Sequence, residues 1–183
     1  MEFRNTIQAM QKLGTNVVTE ARSNLQKLKK ETRANTLYND MNYVVTADKS
    51  GVELEWRFGG ASDYWDFVNE GVKGSGGFKG SGKMRGQGSP FKFKKKNIAK
   101  GVVLKWIANK PLKLRNAKGQ FKEKTQANLK TAAFLIGRAI AQRGLTRTLF
   151  FDNAYNKEVA KAENKITEAF AEDLELQIET LIK

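Results

Sequence analysis

Hydrophobic positions recur every three or four residues at Phe3, Ile7, Met10, Gly14, Val17, Ala21, Leu25 and Leu28. That spacing lines one face of an amphipathic helix and predicts one over residues 3–32. Gly14 on that face is either a weak point or a site of close packing. After turn residues Asn35, Asn39 and Asp40, the period changes to two. Val52, Leu54, Trp56 and Phe58 alternate with Glu53, Glu55 and Arg57, and Tyr43, Val45 and Ala47 precede them across Asp48-Lys49-Ser50-Gly51. A β-hairpin with one apolar face follows from this pattern. Residues 62–71 hold two helical turns, with Ser62 or Asp63 as N-cap and Gly71 just past the end. Pro90 to Phe93 reads as extended. Asn97 is placed to cap a helix carrying Ile98, Val102, Trp106 and Ile107, which Pro111 ends. Residues 112–122 read as a small exposed hairpin. A second internal helix spans 125–143 and stops at Gly144. Residues 145–151 read as extended. From Asp152 to the end, Tyr155, Val159, Ala162, Ile166, Phe170, Leu174, Ile178 and Leu181 step by threes and fours. The rod they predict is about 45 Å long, more than a small domain needs, so part of it is expected to pack on another subunit. The fold class expected is α+β: a small antiparallel sheet, hairpin plus short strands, packed against long N- and C-terminal helices.

Composition changes the middle of this picture. Eight of the 18 residues from Gly71 to Gly88 are glycine, mixed with Lys, Ser and Arg. Such a stretch buries too little surface to fold alone and predicts a flexible basic loop over 72–96. The organisation expected is a single domain, 1–183, with that loop and an inserted helical pair at 97–143. Charge follows the same division. Of a net +14, residues 71–124 carry 16 basic residues against one acid, whereas residues 151–183 are acidic. Two readings of that asymmetry stand: an anionic partner, or solubility and pairing with acidic faces on sister subunits. The residues expected to make a DNA or inter-subunit contact are Lys73, Lys79, Lys83, Arg85, Lys92, Lys94, Lys95 and Lys96.

Candidate chemistry is sparse. The chain has no Cys and no His, which removes disulfides, thiol nucleophiles, zinc–thiolate sites and the commonest general base. Gly77 to Met84 nearly spells a phosphate-cradling loop, but Met84 replaces the Mg²⁺-binding hydroxyl and Gly86, Gly88 and Pro90 follow where a helix must begin. Asp63, Asp66 and Glu70 are spaced to gather a cation, yet solvated helix charge is the favoured reading. Trp56, Tyr64, Trp65 and Phe67 read as core rather than as a base-stacking platform. No nucleophile is paired with a base. The expectation is no enzyme, no cofactor and no metal. No apolar run reaches the length of a membrane span, and Met1 opens a polar segment without the apolar core of a secretory signal, so a soluble chain with no membrane partner is expected.

Two stretches carry a resemblance. Tyr64-Trp65-Asp66-Phe67-Val68-Asn69-Glu70-Gly71 resembles the Tyr-x-x-x-Val-Glu-x-Gly signature of the head–tail joining (neck, or tail-completion) proteins of tailed bacteriophages. Asn69, between Val68 and Glu70, displaces the match by one residue. The segment 144–154, with Gly144, Thr148, Phe150, Phe151 and Ala154, is similar to that family's Gly-Ile-x-x-Thr-x-Phe-Phe-x-x-Ala element. The order of elements agrees as well. The resemblance implies a virion structural protein, assembled in the bacterial host cytoplasm and placed at the head–tail junction. It implies a ring of six or twelve copies that joins the portal or an adaptor to the tail and helps close the DNA-filled capsid. Packaged DNA in the channel is a further partner on this reading. The alternative is a sequence-nonspecific nucleic-acid-binding protein using the basic segment 72–124.

Overall fold

The computed structural model describes residues 3–28, 36–48, 50–80, 82–108, 113–115, 118–121 and 123–182. Among them the fold is α+β, with six α-helices, a short 3₁₀ turn and two two-stranded antiparallel sheets. Where the sequence predicts a single domain with an insertion, the chain divides into two compact units. Unit 1 comprises residues 1–69 and 148–183, and unit 2 comprises residues 70–147.

Unit 1 is built on two long antiparallel helices, α1 (Arg4–Lys27) and α6 (Phe150–Ile182). Leu13, Val17, Ala21 and Leu25 of α1 and Phe150, Phe151 and Ala154 of α6 bury their side chains in one core. The predicted end of the first helix, residues 29–32, and the turn residue Asn35 lie outside the described residues. The short helix α2 (Thr36–Asp40) follows and adds Leu37 to the core. Its terminal carbonyls find a donor in α1: Arg22 gives hydrogen bonds to the carbonyls of Tyr38 (3.0 Å) and Met41 (2.9 Å). Strands β1 (Asn42–Ala47) and β2 (Val52–Arg57) form the hairpin that the alternation predicts. Their register pairs Tyr43 with Trp56 and Val45 with Leu54, which puts the apolar residues on one face. The Asp48 carboxylate closes the turn by accepting from the Ser50 N–H at 2.7 Å; Lys49 lies outside the described residues.

Gly14 is a site of close packing. A Cβ there would lie 2.5 Å from the Tyr43 ring, whose hydroxyl is 2.7 Å from that of Thr15 and whose ring edges against Trp56. Gly14→Ala gains about 1 kcal/mol of helix propensity but over-packs a held ring at a cost of about 1–3 kcal/mol. We expect the cost to win, so that thermal unfolding of Gly14→Ala shows a lowered midpoint.

A 3₁₀ turn (Gly59–Ala61) leads through Ser62–Tyr64 into helix α3 (Trp65–Glu70), which starts two residues later than an N-cap at Ser62 predicts and one later than a cap at Asp63. The Trp65 ring stacks on Phe58 at 4.1 Å, and Phe151 sits edge-on to Trp56, Phe58 and Trp65. This aromatic cluster joins the hairpin to the start of α6. Residues 150–151, predicted as extended, are the first helical turn of α6. The segment before them is extended only at Gly144 and Leu145.

In unit 2, helices α4 (Lys100–Ala108) and α5 (Gln126–Arg143) pack through Val103, Ile107 and Ala133. Thr125 caps α5, its hydroxyl accepting from the Asn128 N–H at 3.3 Å. Asn97 does not cap α4. The helix starts from the Ala99 carbonyl, and the Asn97 amide oxygen is buried without a hydrogen-bond partner. Val102 and Trp106 face solvent while Val103 and Ile107 turn inward. Within the small hairpin an isolated antiparallel bridge joins Arg115 to Phe121, and the Arg115 guanidinium lies 4.3 Å over that ring. Its residues 112, 116, 117 and 122, and Pro111 before it, lie outside the described residues. Short strands β3 (Val72–Lys73) and β4 (Gly144–Leu145) pair antiparallel.

The glycine-rich stretch departs most from expectation. Ser81 lies outside the described residues; residues 72–76 and 85–93 are tied down by backbone hydrogen bonds at Lys73, Ser75, Gly76, Arg85, Ser89, Phe91 and Phe93 instead of running as a free loop. Any α-helix leaves its last four carbonyls without an intrahelical donor. Those of α5 are all satisfied: Ile140 by the Gly144 N–H, Ala141 by Ser75 (2.9 Å), Gln142 by Gly76 (3.2 Å) and Arg143 by Arg85 (2.8 Å). Lys73 bonds on both sides to Phe91 and Phe93, at 2.8 and 2.9 Å. Ser89, fully buried, donates to the Gly71 carbonyl at 2.8 Å and accepts from Phe91 N–H at 3.0 Å. The stretch holds its place by main-chain bonding, which composition does not record. Its positive charge also suits the negative end of the α5 dipole.

Candidate functional site

The motif residues of residues 64–71 and 144–154 are used for architecture. In unit 1 the Thr148 hydroxyl donates to the Val68 carbonyl at 2.6 Å, while the Thr148 and Leu149 N–H groups both reach the Asn69 carbonyl, at 3.0 and 2.9 Å. Leu149 adopts φ 49°, rare for a branched side chain, and its carbonyl starts α6 by accepting from Asn153. The Asn69 side-chain oxygen accepts from the Phe151 N–H at 3.2 Å, so the N-terminus of α6 is capped from a distant part of the chain. Tyr64 and Val68 pack on the aromatic core, and Phe150 and Ala154 are fully buried.

In unit 2, Glu70 pairs with Arg147 at 2.6 Å. Gly71 takes φ 66°, and a Cβ there would meet the Leu145 carbonyl at 2.6 Å and the Arg147 nitrogen at 2.7 Å. Gly144 takes φ 94° and ψ −179°, a region open essentially to glycine alone. Its Cβ would fall 2.5 Å from the Val72 carbonyl and 2.7 Å from that of Arg85. Both glycines are required where main chains approach closely.

Two residues that sequence reasoning passed over complete the helix ends. Asn69, 2 % exposed, is the one that displaces the family signature, and that displacement was its only signal. Asp173, also 2 % exposed, caps α1 in place of Phe3, which offers no side-chain cap. Its carboxylate accepts from the Asn5 N–H (3.0 Å), the Thr6 N–H (2.8 Å) and the Thr6 hydroxyl (2.7 Å). Burial pushes this carboxyl up, but the bonds from Thr6 and Asn5 outweigh it and hold it below the usual aspartate value. Phe170, one turn earlier on α6, stacks on Phe3 at 5.9 Å. Further along the same pair of helices, the hydrogen bond between Lys157 and Glu20 (2.8 Å) lowers the Glu20 carboxyl and raises the Lys157 ammonium.

All eight basic residues predicted to make a contact, Lys73, Lys79, Lys83, Arg85, Lys92, Lys94, Lys95 and Lys96, are exposed in unit 2. Unit 2 carries 20 basic residues against two acids, or +18, which leaves unit 1 at −4. The phosphate-loop spelling at 77–84 leads into coil and a turn at Gln87–Gly88, with the Arg85 N–H committed to the end of α5. Asp66 accepts from the Phe67 N–H and Glu70 holds Arg147; among the described residues no group of three metal-ligating side chains converges. Trp56, Tyr64 and Trp65 belong to the core, whereas Phe67 is exposed. No helix among the described residues is long and apolar enough to cross a membrane. Compared with protein-family models, curated proteins and solved structures, the chain matches none.

Proposed function

We propose that this chain is a structural protein of a tailed-bacteriophage virion, a non-enzymatic ring component of the head–tail connector that sits between portal and tail. The observation that carries the reading is the use made of the two signature stretches, about 75 residues apart in sequence. Val68 and Asn69 bind the backbone of Thr148, Leu149 and Phe151, and Gly71 and Gly144 permit close main-chain approach. Residues matching a structural signature thus have structural work here. Support also comes from the exposed cationic surface of unit 2, which on this reading faces packaged DNA or neighbouring ring proteins.

The test is binding of the purified chain to a portal ring and, separately, to a DNA duplex across a salt series. Virion assembly predicts stable association with the portal and weak retention on DNA alone. A chain indifferent to the portal but bound to duplex with a steep salt dependence is the nucleic-acid-binding alternative, and would replace the proposal.

A further inference from the structure

Helix α6 outruns its partner. Asp173 lies at the first turn of α1, so the nine residues 174–182 continue past the start of that helix. On this overhang Leu176, Ile178 and Ile182 are 58, 56 and 80 % exposed. At about 100° per residue, Glu172, Glu175, Leu176, Ile178, Glu179 and Ile182 fall on one half of the circumference, opposite Phe170 and Asp173, which face α1. From Ile166 to Ile182 the helix has five acids and no base. Its end therefore presents apolar side chains framed by carboxylates.

Unit 2 presents the converse. On α5, Phe134 and Leu135 are 37 and 57 % exposed, and Lys130 and Arg138 stand one turn to either side of Phe134. Lys100 of α4 places its ammonium 5.4 Å over the Phe134 ring. Here apolar side chains are framed by cations, with Lys130 and Arg138 two turns apart, close to the two-turn span from Glu172 to Glu179 on α6.

We infer that the acidic, apolar end of α6 docks on the Lys100–Lys130–Phe134–Leu135–Arg138 face of a second copy of this chain. The contact is heterologous, since the surface given differs from the surface received, and repetition of a heterologous contact closes a ring or runs on as a filament. Burial of the apolar side chains supplies the attraction, and the opposed charges set which surfaces meet. The inference rests on the ring proposed above and identifies the contact that builds it.

Two charge-reversed chains test it. One carries Glu172→Lys, Glu175→Lys and Glu179→Lys; the other carries Lys100→Glu, Lys130→Glu and Arg138→Glu. All six positions are exposed. Each variant alone should assemble with a midpoint concentration raised at least about tenfold, as like charges now face one another. An equimolar mixture should recover the wild-type assembly, because every contact in an alternating ring is again opposite in sign. Variants that assemble as wild type, or a mixture that fails to recover, would overturn the contact while leaving the ring standing. A wild-type chain that stays monomeric with and without a portal overturns the ring itself, and the contact with it. The chain has no cysteine, so a second measurement is open should either variant fold poorly. Mixed Glu175→Cys and Arg138→Cys chains should form an intermolecular disulfide under oxidation, and their failure to cross-link while the ring forms would also count against the contact.

Discussion

Replacing Asp173 by Ala is expected to destabilise unit 1 by about 3 kcal/mol, because one carboxylate is the acceptor for three donors at the start of α1. For a chain of this size that is a fall in unfolding midpoint of roughly 6–12 °C. Phe3 cannot substitute, since its side chain has no acceptor and its ring is already stacked on Phe170. The same residue sets a pH dependence. Its folded carboxyl is held below the ordinary value, so its contribution is complete above the unfolded-chain value near 4 and is lost as pH falls through the lower, folded one. Calorimetry between pH 6 and 2 should therefore show the gap between wild type and Asp173→Ala narrowing on the acid side. A gap of constant size across that range would mean that the carboxylate's charge is not what holds the helix end.

Gly144→Ala is expected to cost about 3 kcal/mol or more in unit 2. Two effects add: a side chain in a glycine-only backbone region, about 1–3 kcal/mol, and over-packing against main-chain atoms that have no room to move, about 1–3 kcal/mol. The Cβ would face the carbonyls of Val72 and Arg85 and the nitrogen of Gly74, so it strikes both the β3–β4 pairing and the segment that caps α5. Hydrogen exchange provides the readout. The amides of Ser75, Gly76 and Arg85, which bond the last carbonyls of α5, should lose protection, while the core of α1 keeps its own. Unchanged protection at those three amides would contradict the role given to Gly144.

Both predictions concern contacts that periodicity does not reveal. The hairpin was legible because alternation at Val52, Leu54 and Trp56 and turn chemistry at Asp48, Ser50 and Gly51 are local signals, and the observed register follows them. Thr125 and Gly144 bounded α5 for the same reason. The caps of α1 and α6 come from Asp173 and Asn69, residues distant in sequence from the helix ends they serve, and the residues just before the two helices, Phe3 and Leu149, have no side-chain acceptor to signal a start. Asn97 showed the opposite failure: a good local cap residue whose oxygen is turned into the packing of α4 on α5 instead. The glycine-rich segment misled through composition. It has little apolar surface to bury, but it has backbone donors, and three of the last four carbonyls of α5 take them. Of the candidate site, the exposure of the eight cationic side chains was legible from charge. The acidic, apolar face at the end of α6 was legible only as excess length.

Assembly is the property on which the functional proposal depends, and native mass spectrometry of the purified chain, alone and with a portal ring, reads it most directly. We predict a species of six or twelve times the 20.6 kDa chain mass, formed alone or on the portal. A 20.6 kDa monomer under both conditions, at every concentration tried, would contradict it.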